Sequence, residues 1–197
     1  MTPEQHLRRW EELHGTTASP LVRRWLRLVL AVSRPLRVPP NAVTAAALLV
    51  TAGALVVPLP VAAALVLLAG LLDGVDGCVA VLQDRVTELG GRWDRAADRL
   101  GEVLFGALLW RAGAPAWLAA LAVVLMIAVE VVRRGRPLVI TVGERPVRVL
   151  FTAAALLVWP VAWTVALVVL SAVGLAQVSG SWPFRDQRPL PAVGGPS

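Results

Sequence analysis

Six apolar stretches, separated by short turns or by arginine-rich segments, recur along this chain and restrict the folds that are open to it. They cover residues 41–57, 60–84, 92–112, 116–132, 146–159 and 161–178. A helix of about 20 apolar residues crosses the hydrocarbon core of a bilayer. A mean hydropathy of +0.69, with 57% apolar residues, fits a soluble domain badly. We therefore predict an all-α polytopic membrane protein with six transmembrane helices.

The two ends of the chain differ from this apolar region. Residues 1–38 are polar overall, but an apolar stripe that follows Ser19 lies opposite the three arginines of residues 23–27. This pattern predicts an amphipathic helix that lies in the membrane interface and precedes the first span. Residues 179–197 are rich in proline and glycine, which predicts a flexible tail. The transmembrane domain is thus expected over residues 39–178.

Positive charge is distributed unevenly along the chain. All 19 basic residues are arginine, and the formal net charge is +6. Arginines cluster before the first span, around the loop after the second and around the loop after the fourth, whereas the intervening connections carry at most Arg111. By the positive-inside rule we expect both termini and the arginine-rich loops to face the cytoplasm, at a bacterial plasma membrane. These arginines are placed to anchor anionic membrane lipids, so we expect no nucleic-acid partner.

Four aspartates lie where the second apolar stretch ends and the third begins. Asp73 and Asp76 are three residues apart, and Asp94 and Asp98 are four apart, so each pair shares one face of a helix. Because a charge at the centre of a membrane helix costs roughly 2.5 to 3.5 kcal/mol, such a cluster needs a cation or water. Carboxylates without nearby histidine or cysteine favour Mg²⁺ or Mn²⁺. The alternative is a set of helix-terminal charges paired with the nearby arginines Arg85, Arg92, Arg95 and Arg99.

The spacing of these aspartates resembles the signature of the CDP-alcohol phosphatidyltransferase family. That signature reads Asp-x2-Asp-Gly-x2-Ala-Arg-x8-Gly-x3-Asp-x3-Asp. Seven of its eight specified positions match in register, namely Asp73, Asp76, Gly77, Ala80, Gly90, Asp94 and Asp98. The departure is Val81, which stands where the signature has arginine and cannot donate a hydrogen bond. Arg85 lies one helical turn further on, and we expect it to bind nucleotide in place of the missing arginine.

The resemblance implies an enzyme of phospholipid biosynthesis. It would transfer a phosphatidyl or similar substituted phosphate group from a CDP-linked lipid, such as CDP-diacylglycerol, to an alcohol, and release CMP. By motif position, Asp73, Asp76 and Asp94 correspond to metal ligands, and Asp98 completes the metal site and acts as general base. Two Mg²⁺ or Mn²⁺ ions and a homodimer are implied as well. The signature's small residues, which line the CDP pocket in this family, are Gly77, Ala80 and Gly90.

The acceptor alcohol is open at this stage. Arg145 and Arg148 follow the fourth span, and their guanidinium groups suit a phosphorylated acceptor such as glycerol phosphate or inositol phosphate. The alternative for both is membrane anchoring. Glu102, four residues after Asp98, and Glu130 are further acids within apolar stretches, where a buried acid suggests a functional role; the alternative for Glu130 is an arginine partner at the membrane face. Two rival functions are a cation transporter or channel that uses the acidic cluster, and a membrane protein of the same fold that has lost activity.

Overall fold

The computed structural model describes residues 27, 29, 31–33, 38–82, 87–133, 141 and 144–180. All regular structure in these ranges is α-helical, which confirms the all-α prediction. Residues 27, 29 and 31–33 are helical and fall where the interfacial helix is predicted, but most of that helix, like the predicted tail from residue 181, lies outside the described residues. The six main helices are α1 (Pro40–Gly53), α2 (Leu59–Leu82), α3 (Glu88–Arg111), α4 (Ala116–Arg133), α5 (Arg145–Leu157) and α6 (Pro160–Ser179).

The helices begin and end at residues whose chemistry explains the boundaries. Thr87 caps α3, where its hydroxyl accepts a hydrogen bond of 3.0 Å from the Gly90 amide. Proline occupies the first turn of α1, α5 and α6, where its missing amide proton costs no helical hydrogen bond. Gly113 and Gly180 follow α3 and α6 with φ angles of 110° and 82°, which glycine adopts without steric cost.

Three of the described helices are long and apolar enough to cross a membrane. They are Leu59–Val79, Ala116–Arg133 and Pro160–Ser179. Helix α1 is apolar but has only 14 residues, and α5 has 13. Helix α3 is long enough, but its mixture of charged and apolar residues sets it apart from the apolar spans. By length and composition these three helices indicate that the chain associates with a membrane, and the six-span count remains a prediction.

The helices pack so that one end of the bundle collects the polar residues. Helix α1 packs on α2 and α3, α2 packs on α5, and α4 packs on α6. The amino-terminal ends of α1, α3 and α5 thereby meet the carboxyl-terminal end of α2. Most of the other buried residues are apolar, and their largest cluster joins the α1–α2 turn to α2, α3 and α5 through Ala54, Ala62, Ala63, Val66, Phe105, Leu108, Val149, Ala153 and Leu156.

The opposite end of the bundle is closed by Arg111, the last residue of α3. Its guanidinium donates hydrogen bonds of 3.2 Å to the Ala54 carbonyl and 2.6 Å to the Val57 carbonyl. Both carbonyls lie in the turn between α1 and α2. The side chain therefore ties the α1–α2 turn to α3 and fixes how far α3 lies from α1.

Two glycines permit close approach between helices. A Cβ atom at Gly70 would lie 2.7 Å from Val149 Cγ1, and a Cβ atom at Gly106 would lie 2.3 Å from Val123 Cγ2. Both distances are far below van der Waals contact. The glycines therefore set the spacing of α2 to α5 and of α3 to α4, as small residues do between membrane helices.

Gly106→Ala is expected to lower the free energy of unfolding by about 1–2 kcal/mol, because overpacking costs roughly 1–3 kcal/mol and helix propensity returns up to about 1 kcal/mol. Val123→Ala in the same chain should restore most of the loss. The control is Gly53→Ala, where the new methyl group would meet no atom within 4 Å. Reaction of the buried Cys78 thiol with a thiol-reactive dye during heating measures unfolding directly. A Gly106→Ala protein as stable as the wild type would contradict this spacing.

Candidate active site

The four aspartates come together from two adjacent helices. Asp73 and Asp76 lie in the second half of α2, and Asp94 and Asp98 lie in the first half of α3. The carboxylate of Asp73 is close enough to the other three for their charges to act on it, and Asp76 is similarly close to Asp94 and Asp98. The helical spacing predicted two acidic faces, and the packing of the bundle turns them toward each other.

Asp76 is the most enclosed of these side chains, with 5% of its surface exposed. Its Oδ2 atom accepts a hydrogen bond of 2.5 Å from the hydroxyl of Thr44, which belongs to α1. Its Oδ1 atom lies 2.6 Å from the Gly77 amide nitrogen, which donates to it. Both oxygens are therefore held by neutral donors, and the carboxylate is fixed in one orientation.

Arg145, the first residue of α5, supplies positive charge to the cluster. Its Nε atom lies 2.8 Å from Asp73 Oδ2, and its Nη1 atom donates to Asp98 Oδ1. The side chain passes over α3 at Gly101, where a Cβ atom would stand 3.2 Å from Arg145 Nη2. One guanidinium thus joins the acidic face of α2 to that of α3, and offsets part of the repulsion between the carboxylates.

The chemistry of these donors fits a divalent cation. The cluster offers carboxylate oxygens without imidazole or thiolate, which is the ligand set of Mg²⁺ and Mn²⁺. In the part of the chain that the structure describes, no three acidic, histidine or cysteine side chains already stand in a metal-holding arrangement. Asp73 and Asp98 each contact Arg145 through one oxygen, Oδ2 of Asp73 and Oδ1 of Asp98, so the guanidinium competes with a cation for these two carboxylates.

The small residues predicted to line a nucleotide pocket differ in their surroundings. Gly77 is exposed, and a Cβ atom there would meet nothing within 4 Å, so the surface beside Asp76 is open. Gly90 is more confined, since a Cβ atom there would lie 2.9 Å from Thr87 Oγ1. The side chains of Ala80 and Val81, and the whole of Arg85, lie outside the described residues.

A cleft leads from the aspartates into the bundle between α1, α2, α3 and α5. Thr44, Asp73 and Arg145 line its polar end. Small or apolar side chains line the remainder, among them Ala47, Ala69, Ala97 and Phe105. The space that these side chains enclose is about the size of one water molecule, and Asp73 is the aspartate that lines it.

Arg148 is not exposed beside the aspartates, although the sequence grouped it with Arg145. It is 3% exposed, and its guanidinium pairs with the buried Glu102 of α3 and, at 3.2 Å, with Glu130 of α4. Glu130 also lies 3.8 Å from Arg133. The arginine partner expected as one alternative for Glu130 is thus present in Arg133 and Arg148, whereas the pairing of Glu102 with Arg148 was not predicted.

A second polar group anchors the start of α5. Arg133 at the end of α4 pairs with Glu144 at 2.8 Å, and Glu144 also accepts a hydrogen bond of 2.8 Å from the Thr141 amide. Because Glu144 immediately precedes Arg145, this contact fixes where Arg145 enters the site. Neither this contact nor the Thr44 bond was predicted. The signals in the sequence were the hydroxyl of Thr44 within the apolar α1 and the carboxylate of Glu144 beside Arg145. Threonines and glutamates often occur at such positions without making contacts of this kind.

Comparison with protein-family models finds CDP-alcohol phosphatidyltransferase over residues 37–179. The matched range contains α1 to α6, all four aspartates and Arg145. Comparisons with curated proteins and with solved structures each return no match.

Proposed function

This chain belongs to the CDP-alcohol phosphatidyltransferase family, whose members are phosphotransferases for substituted phosphate groups, and we propose that it transfers a phosphatidyl group from CDP-diacylglycerol or a similar CDP-linked lipid to an alcohol, with release of CMP. The observation that carries the proposal is the assembly of Asp73, Asp76, Asp94 and Asp98 at one end of the bundle, in the register of the family signature. Structural ion pairing explains one or two carboxylates, but it does not require four at this spacing.

The aspartates divide between two roles in this proposal. Asp73, Asp76 and Asp94 bind the divalent cations, and Asp98 completes that site and accepts the proton of the acceptor hydroxyl. Two Mg²⁺ or Mn²⁺ ions would supply neutralisation of the charge on the pyrophosphate and on the departing CMP. The acceptor oxygen forms a bond to the lipid-linked phosphorus, the bond from that phosphorus to the CMP oxygen breaks, and the hydroxyl proton stays on Asp98.

We place the CDP group of the donor beside the exposed face of α2. Gly77 leaves that surface bare next to Asp76, which supports contact with the CDP group. Ala80 and Gly90 are assigned to the same pocket by motif position, and Arg85 by its place one turn beyond Val81.

Arg145 is the better placed of the two arginines for a phosphorylated acceptor. It is 27% exposed at the polar end of the cleft, whereas Arg148 is buried between two glutamates. An acceptor phosphate that pairs with Arg145 would also draw the guanidinium away from Asp73 and Asp98. The proposal therefore favours acceptors such as glycerol phosphate or inositol phosphate. In it, Arg148 supports the site from within the bundle and is not exposed to the acceptor.

The membrane arrangement follows from the same assignment. We place six helices across the bilayer of a bacterial plasma membrane, with the aspartates and both termini on the cytoplasmic side, where the arginine-rich loops lie. The transmembrane catalytic domain spans residues 39–178, between the interfacial segment 1–38 and the tail 179–197. A homodimer is expected from the family.

The acceptor panel is the experiment that tests this function. Purified protein in lipid nanodiscs is mixed with CDP-diacylglycerol, Mn²⁺ and one alcohol at a time, and CMP is measured by chromatography. Release that requires one acceptor establishes the transferase and names its substrate. Metal flux into vesicles without CMP release would instead support a transporter. Bound nucleotide without release under any acceptor would support a non-catalytic member of the family.

Arg85→Ala is expected to reduce CMP release at least about 10-fold, because a hydrogen bond to a charged group contributes roughly 1.5–3 kcal/mol. The loss should appear as weaker binding of CDP-diacylglycerol. Val81→Arg in the same chain restores the signature arginine and should recover activity. An Arg85→Ala protein that is as active as the wild type would rule out the substitution of Arg85 for the missing arginine.

A further inference from the structure

The hydroxyl of Thr44 makes an unusual contact for a polar group within an apolar helix. Thr44 is 4% exposed, and its Oγ1 atom lies 2.5 Å from Asp76 Oδ2 and 3.2 Å from the Pro40 carbonyl oxygen. A hydroxyl has one proton to donate, and the shorter distance assigns that proton to the carboxylate. The bond connects α1 to α2 across 32 positions of sequence, so it is a tertiary contact.

Thr51 shows what a threonine on this helix does without such a contact. It lies two turns further along α1 and is also 4% exposed. Its hydroxyl donates to the Ala47 carbonyl at 2.9 Å, which is the usual bond of a threonine to the preceding turn of its own helix. Bonding within the helix therefore accounts for the hydroxyl of Thr51, but it does not account for the shorter bond of Thr44 to Asp76.

The carboxylates of the cluster are held in two different ways. Asp73 and Asp98 face the guanidinium of Arg145, whose positive charge competes with any other cation. Asp76 is held by the Thr44 hydroxyl and the Gly77 amide, which are neutral. These donors orient the carboxylate without taking the place of a cation. Each oxygen accepts one of these bonds and keeps further acceptor capacity.

We propose that Thr44 is a positioning residue that holds Asp76 in the orientation in which it binds a divalent cation. This inference rests on the proposed function, because it takes Asp76 to be a metal ligand. Partners that orient metal ligands typically contribute about 10- to 100-fold to metal affinity. The hydroxyl acts only through Asp76 and touches neither nucleotide nor acceptor in this assignment.

Mn²⁺ binding to the purified chain tests the proposal without turnover. Free Mn²⁺ gives an electron paramagnetic resonance signal that falls on binding, so titration yields the dissociation constant. Thr44→Val removes the hydroxyl at constant shape and is expected to weaken Mn²⁺ binding about 10-fold or more. Thr44→Ser keeps the hydroxyl and should bind within about 2-fold of the wild type. Thr51→Val is the matched control and should bind as the wild type does.

The pair Thr44→Ser and Thr44→Ala differs by one hydroxyl and decides the question if Thr44→Val does not fold. Equal Mn²⁺ affinity of these two proteins would overturn the positioning role. The metal site itself has a separate test, since Asp76→Asn should lose most Mn²⁺ affinity. A wild type that binds Mn²⁺ no better than Asp76→Asn would contradict the metal assignment of the proposed function. Loss in Asp76→Asn with unchanged binding in Thr44→Val would overturn only the role of Thr44.

Discussion

Asp98→Asn is expected to lower the rate of CMP release about 10²- to 10⁴-fold at saturating substrate and metal, the range that general bases contribute. The asparagine amide has nearly the shape of the carboxylate but cannot take up the acceptor proton. The measurement is the steady-state rate of CMP release with the acceptor that the panel identifies. Because Asp98 is 26% exposed and Arg145 keeps its contact with Asp73, the fold should be little changed.

Glu88→Gln is the matched control for this substitution. Glu88 is the first residue of α3 and is exposed, so the variant removes one carboxylate from the same helix without touching the site. It should release CMP at the wild-type rate. If Asp98→Asn also keeps that rate, Asp98 is not the base, and the proton passes to another group.

Arg148→Met is expected to lower the free energy of unfolding by about 3–5 kcal/mol, because it leaves a buried carboxylate without its counter-ion. Arg148 and Glu102 are each 3% exposed where they pair. Among the described residues, Glu102 Oε2 has no hydrogen-bond partner, so Glu102 depends on its bond to Arg148. The measurement is the temperature at which the Cys78 thiol becomes reactive.

A second substitution separates the ion pair from simple loss of packing. Glu102→Gln combined with Arg148→Met removes both charges, and it should recover most of the stability that Arg148→Met alone loses. Arg92→Met, at an exposed arginine of α3, should be neutral. A double variant that is no more stable than Arg148→Met would mean that the arginine stabilises by packing alone.

The acidic cluster was predictable because its signal is local. A spacing of three or four residues fixes which side chains share a helical face, whatever the rest of the chain does. The apolar runs also predicted α2, α4 and α6 as membrane helices. Helix α3 satisfies the same length but carries the acids and arginines of the site, so apolarity alone does not mark it as a span.

The partners of the aspartates were not predictable in the same way. Arg145 lies 47 residues from Asp98 in sequence, and Thr44 lies 32 residues from Asp76. Both contacts depend on how α1 and α5 pack against α2 and α3, and the close approach at Gly70 sets part of that packing. The same holds for Arg148, whose sequence neighbours gave no indication that it pairs with Glu102.

The central claim is that the aspartate cluster uses a divalent cation to move a phosphatidyl group from CDP to an alcohol. The most direct test measures CMP and the new lipid in one reaction, with Mn²⁺ and again with the metal chelated. We predict equal molar amounts of both products with Mn²⁺, and neither after chelation. CMP without a new lipid, or undiminished lipid synthesis after chelation, would contradict the account.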